Sequence, residues 1–149
     1  MAVDKDSLTR NEQGVLAAGA LALVLSLLPW FTMVTFDGPG QDISTTAWTS
    51  FATIGMVLLL GASAFVAIMA ISDEALPKVV PWHLIAVVMA AAGTLLIVLK
   101  VLTTGSSAPG VNAGPGWSGL LLVAVAIVLT FFSVQAFRES EDELNRSEA

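Results

Sequence analysis

Cysteine is absent, histidine occurs once, and lysine and arginine together number only 6 in 149 residues. Without cysteine there is no disulfide, no thiolate metal ligand and no thiol nucleophile. A single histidine excludes a cluster of imidazole ligands within one chain, so no metal site and no cofactor are expected. The 12 acidic residues outnumber the 6 basic ones, which argues against a nucleic-acid partner. Charge of either sign is scarce at 12%, about half of what a soluble domain carries.

Apolar residues take its place. They make up 56% of the chain, and the mean hydropathy is +0.84. A single domain of this length cannot hide that much apolar surface from water. The positions of the charges are more informative than their number. None falls between Glu12 and Asp37, between Asp42 and Asp73, between Lys78 and Lys100, or between Lys100 and Arg138. A bilayer core of about 30 Å takes about 20 residues of helix, and each of these gaps is that long. Backbone polar groups in lipid must be satisfied within the segment, so each gap predicts a helix. The expected spans are about 14–33, 51–71, 84–102 and 119–137, in a single membrane domain with a polar tail over 138–149. The fold class is therefore all-α, an antiparallel four-helix transmembrane bundle. The first span is not a secretory signal, because its head carries Asp4, Asp6 and Glu12 and its apolar run is too long.

Trp30, Trp48, Trp82 and Trp117 all fall near the expected span ends. There, an indole can place its ring in hydrocarbon and its N–H among headgroups. Pro29 should kink or end the first helix. With both termini inside, the inner segments hold Lys5, Arg10, Lys78, Arg138 and Arg146, and the outer loops hold no basic residue. This asymmetry predicts cytoplasmic termini and a plasma-membrane location. The first outer loop carries an Asp-Gly-Pro-Gly turn signal at 37–40. The second, over 103–117, is rich in Gly, Pro and Ser and reads as mobile. The tail is expected to continue the last helix for a few turns and then to become disordered.

Small residues recur at helical spacing. Gly14, Ala18, Ala22 and Ser26 form a stripe in the first span. Ala86, Ala90 and Thr94 form another in the third, with Gly93 adjacent, and Gly61, Ser63 and Ala67 cluster in the second. Such stripes let membrane helices approach closely, either within one chain or against a second copy or a partner.

Little in the sequence points to chemistry. Lys100 lies inside the third span near its outer end. It can snorkel to the headgroups and contact lipid phosphate, face inward toward an ion or substrate, or pair with Asp37 or Asp42. His83 reads as an interfacial residue, and Asp73 and Glu74 as solvated. Asp37 and Asp42 read as turn chemistry, since their spacing matches no calcium loop. Hydroxyls from Thr32 to Thr53 either line a small vestibule or satisfy free backbone groups at helix ends. No span contains paired carboxylates, and no nucleophile accompanies His83. An enzyme is therefore not expected.

Leu27-Leu28-Pro29-Trp30-Phe31, Ala47-Trp48-Thr49-Ser50-Phe51 and Gly116-Trp117-Ser118-Gly119-Leu120-Leu121 close or open spans. Together with the charged tail, they resemble small four-span actinobacterial membrane proteins of unknown function. The resemblance implies a plasma-membrane location and four helices, and it carries no activity and no site residues. The plan is also similar to that of claudin-like tetraspans. That analogy is set aside, because the first outer loop is too short for their strands and lacks their two cysteines. The expected role is a non-enzymatic scaffold or accessory subunit, packed in the bilayer with itself as a homo-oligomer or with a larger membrane partner. The alternatives are a small transporter or channel component and, behind it, a lipid-active enzyme.

Overall fold

The structure is a computed structural model that describes residues 10–29, 31–36, 43–48, 50–71, 81–108 and 111–148. The chain is mostly helical. In order, it forms α1 (Arg10–Leu27), β1 (Thr32–Phe36), β2 (Ile43–Thr45), α2 (Ala52–Ile71), α3 (Trp82–Thr103), β3 (Ser106–Ala108), β4 (Val111–Pro115) and α4 (Trp117–Glu148). Helix α1 packs against α2 and α4, and α3 packs against the same two.

Among the described residues, three helical segments are long and apolar enough to cross a membrane: Ala52–Met69, Trp82–Thr103 and Trp117–Asp142. Helix α1 differs from the expected first span. It begins on Arg10-Asn11-Glu12-Gln13 and stops at Leu27 rather than running to Met33. Its apolar part, residues 14–27, rises only about 21 Å. The stop has a local cause. Pro29 pushes Leu28 away from helical backbone angles, and the β-branched residues that follow it, Thr32, Val34 and Thr35, suit a strand.

The two connections expected to be irregular are not. Their strands form one antiparallel sheet in the order β2-β1-β4-β3. Strand β1 pairs with β2 from Thr32↔Thr45 to Val34↔Ile43. It pairs with β4 from Thr32↔Pro115 to Phe36↔Val111. Strand β3 completes the sheet against β4. The all-α expectation, which left both connections without strands, is corrected to a mostly helical chain that carries one small sheet. Three to five residues per strand suffice because the central pair joins two different loops. Because one sheet gathers the α1–α2 and α3–α4 connections, both lie at the same end of the helices.

The tail also departs from expectation. Helix α4 continues through Glu148, so the end of the tail is helical rather than disordered. Its 32 residues rise about 48 Å, well beyond a bilayer core of about 30 Å. At the other end from the sheet, Asn11 Nδ2 of α1 donates to Glu139 Oε1 of α4 at 2.6 Å, which anchors the continuation. The turn at 37–40 lies outside the described residues.

Candidate functional site

Two regions gather the residues singled out by the sequence: the junction of helices and sheet, and the faces on which the helices cross.

At the junction, the chain leaves α1 and passes through Phe31, which is fully buried. The Phe31 N–H donates to the Thr45 carbonyl at 2.9 Å, and the Gly116 N–H donates to the Phe31 carbonyl at 3.0 Å. One residue thus ties both loops together. Gly119, in the first turn of α4, sits directly against that Phe31 carbonyl, where a Cβ has no room. The Thr32 and Thr45 hydroxyls bond to each other across the β1–β2 pair.

Ser26 and Trp48 form the second tie. Ser26 is fully buried. Its hydroxyl donates to the Leu23 carbonyl at 2.7 Å and accepts from the Trp48 indole N–H at 3.0 Å. The Ala47 N–H donates to the Ser26 carbonyl at 3.3 Å. Trp48 is therefore half-buried and turned toward α1. Trp48→Phe, which removes this N–H together with the five-membered ring that carries it, is expected to cost about 1 kcal/mol for the bond and a further amount for the lost packing against the core. A thermal melt in detergent checks this, and Ser26→Ala in the same background should add less than it does alone.

The other tryptophans sit differently. Trp82 is half-buried, with its ring centroid 5.4 Å from that of Phe65. Trp117 is exposed at the first residue of α4. Trp30 lies outside the described residues.

The small residues occupy helix crossings. Ala18, Ala22, Ala86 and Ala90 are buried, as is Gly93. Gly14 lies under the Phe132 ring, where an added Cβ would be 2.7 Å from Cγ. Gly93 faces Gly55, and a Cβ on Gly93 would be 2.7 Å from the Gly55 carbonyl oxygen. Gly19 lies against Ser63. Between α3 and α4, Thr94 Oγ1 donates to the Ala126 carbonyl at 3.1 Å and lies 2.9 Å from Thr130 Oγ1. Thr130 donates to the same carbonyl at 3.0 Å. The shared Ala126 carbonyl and the two close hydroxyls form a weak link between α3 and α4.

Lys100, on the last turns of α3 at the sheet end, has its Nζ 5.5 Å from the centroid of the Phe51 ring. This is within cation–π range, and Phe51 is a partner that the sequence reading did not include. Asp37 and Asp42 lie outside the described residues, as do Asp73 and Glu74. His83, at the end away from the sheet, has Nε2 3.8 Å from Glu12 Oε1. Glu139 Oε2 is buried there without a hydrogen-bond partner among the described residues.

Gly55 and the Asn11–Glu139 bond escaped the sequence reading, and Phe31 and Gly119 entered it only as parts of motifs at span ends. Gly55 and Gly119 carried a signal, since each sits near a span start where a side chain would otherwise be expected. Phe31 carried none beyond being apolar. Among the described residues, no group of three or more His, Asp or Glu side chains could hold a metal ion. The polar groups at the junction serve to position backbone. No protein-family model matches this chain, and no curated protein matches it.

Proposed function

We propose that the chain is a non-enzymatic multi-pass protein of the plasma membrane, a four-helix transmembrane bundle with both termini cytoplasmic. It acts as a scaffold or accessory subunit, associating with itself or with a larger membrane partner. The observation that carries this reading is the four-stranded sheet braced on the helix ends. The ties at Phe31 and Ser26 hold it as a rigid platform, and the positive-inside asymmetry puts it outside the cell. Among the described residues, no further strand pairs with the outer edges of β2 and β3, so these edges can take a strand from a partner. The small-residue stripes are already used between helices of one chain, so the platform is the better docking surface. Helix α1 completes the fourth span by pairing its short apolar stretch with the polar groups at its start.

A photo-crosslinker at Ser44, exposed on β2, tests this in native membranes. The expected result is one discrete crosslinked species, lost when Ile43→Pro breaks the edge. A diffuse pattern like that from a probe at Leu102, which is exposed on α3, would overturn the reading. A reporter fused after Ala149 should report cytoplasm, and an external signal would reverse the orientation.

A further inference from the structure

A lateral groove of about 330 Å³ runs between α1 and α4, within the size range of small-ligand sites. Gly14, Ala17 and Leu21 form one wall, and Ala124, Val128 and Phe132 form the other. Every lining residue is apolar, and the groove opens sideways where α1 and α4 face outward. Leu21 is 50% exposed and Val128 45% exposed. Gly14 makes the groove deep, because a larger residue there would meet the Phe132 ring.

One end of the groove carries a charge. Arg10 precedes Gly14 by four residues, so it lies one helical turn further out on the same face of α1. It is exposed, and among the described residues no ion pair engages it. Two acids at this end of α1 and α4 have other contacts, Glu139 Oε2 stays buried without a partner among the described residues, and Glu141 and Asp142 are exposed further along α4. Glu12 projects from the opposite side of α1, with Oε1 3.8 Å from His83, and Glu139 Oε1 accepts from Asn11. The sequence therefore sets a cation about 6 Å beyond an apolar slot that continues into the hydrocarbon. In a phospholipid, the phosphate likewise stands a few ångströms outside the start of the acyl chains.

We infer that the α1–α4 groove binds one anionic phospholipid, its acyl chain against Ala17, Leu21 and Val128 and its phosphate at Arg10. A second copy of the chain fits less well. A two-fold contact through this groove would bring Arg10 against Arg10. The inference requires only that α4 cross the bilayer with α1 beside it. It is read on the isolated protein, so failure to find a partner protein leaves it standing.

Native mass spectrometry in detergent micelles doped with dioleoyl phosphatidylglycerol or dioleoyl phosphatidylcholine tests it. The wild type should retain one phosphatidylglycerol, at least five-fold more strongly than phosphatidylcholine. Arg10→Gln should bring the two lipids level. Ala17→Phe, which fills the slot from an exposed position, should reduce retention of both, and Ala124→Phe should do the same from the other wall. Arg146→Gln, an exposed arginine two turns beyond Arg138 on α4, should change nothing. Equal retention of both lipids by the wild type would overturn the inference. So would phosphatidylglycerol retention unaffected by Arg10→Gln, or a dimer that Ala17→Phe dissociates.

Discussion

Phe31→Ala should lower the unfolding free energy by about 3–5 kcal/mol, which translates to a fall in Tm of roughly 10 °C. Among the described residues, Phe31 is the largest of the fully buried side chains, and it sits where helices and sheet meet. Truncation removes its contacts and leaves a cavity that the surroundings cannot close. The backbone on both sides is pinned by the Thr45 carbonyl and the Gly116 N–H, and Gly119 abuts the Phe31 carbonyl. The effect should also be local. Amide exchange in β1 and β4 should rise more than exchange in the middle of α2, because the ring is what seats the sheet on α4. Leu27→Ala is the control. Leu27 is 63% exposed four residues earlier, where truncation trades protein–lipid contact for lipid. It should cost little by comparison. Equal losses for the two variants would mean that Phe31 is not the keystone of the junction.

What could be read from the sequence follows from how local each signal is. A long uncharged run predicts a helix wherever it occurs, because the requirement to satisfy backbone groups acts within the run. Helices α2, α3 and α4 follow from that rule alone. The sheet does not. Residues 32–36 and 111–115 pair with each other, so although Thr32, Val34 and Thr35 suit a strand, nothing within either loop names its partner. The Gly/Pro/Ser content of the second loop points toward mobility, although Val111–Pro115 is one of the central strands. The end of α1 was legible in Pro29, but hydropathy alone pulls the boundary on toward Met33. Trp48 shows the same limit at the level of a side chain. An indole near a span end suits a headgroup interface, yet this one finds Ser26 twenty-two positions earlier in the chain. Such a partner becomes visible only once the sheet has folded the loop back. The helix crossings were half legible. Spacing picked out Gly93, but its counterpart Gly55 stands outside any stripe.

The crossing of α2 and α3 yields the second large effect. Gly93→Val should destabilise the protein by about 3 kcal/mol. A Cβ at this position would be 2.7 Å from the Gly55 carbonyl oxygen and 3.0 Å from the Leu59 backbone nitrogen. Two of its nearest neighbours are therefore backbone atoms of α2, which cannot rotate away as a side chain can. The only relief is for the two helices to move apart, and every contact along the crossing then loosens. Gly55→Ala strains the same approach from the other side, where a Cβ would stand 3.0 Å from the Gly93 carbonyl oxygen. Once one methyl has separated the helices, the second meets less resistance. The double variant Gly55→Ala/Gly93→Ala should therefore cost clearly less than the sum of its parts, whereas independent sites would add. Gly105→Ala provides the reference, since nothing lies within 4 Å of a Cβ there, and it should shift stability by no more than about 0.5 kcal/mol. Unfolding titrations in mixed micelles measure these four variants and the single Gly93→Ala on one scale. Additive costs at Gly55 and Gly93 would show that the helices do not meet backbone to backbone. Sub-additive costs would identify their close approach as the contact that sets the spacing of α2 and α3, and with it the spacing of the strands they carry.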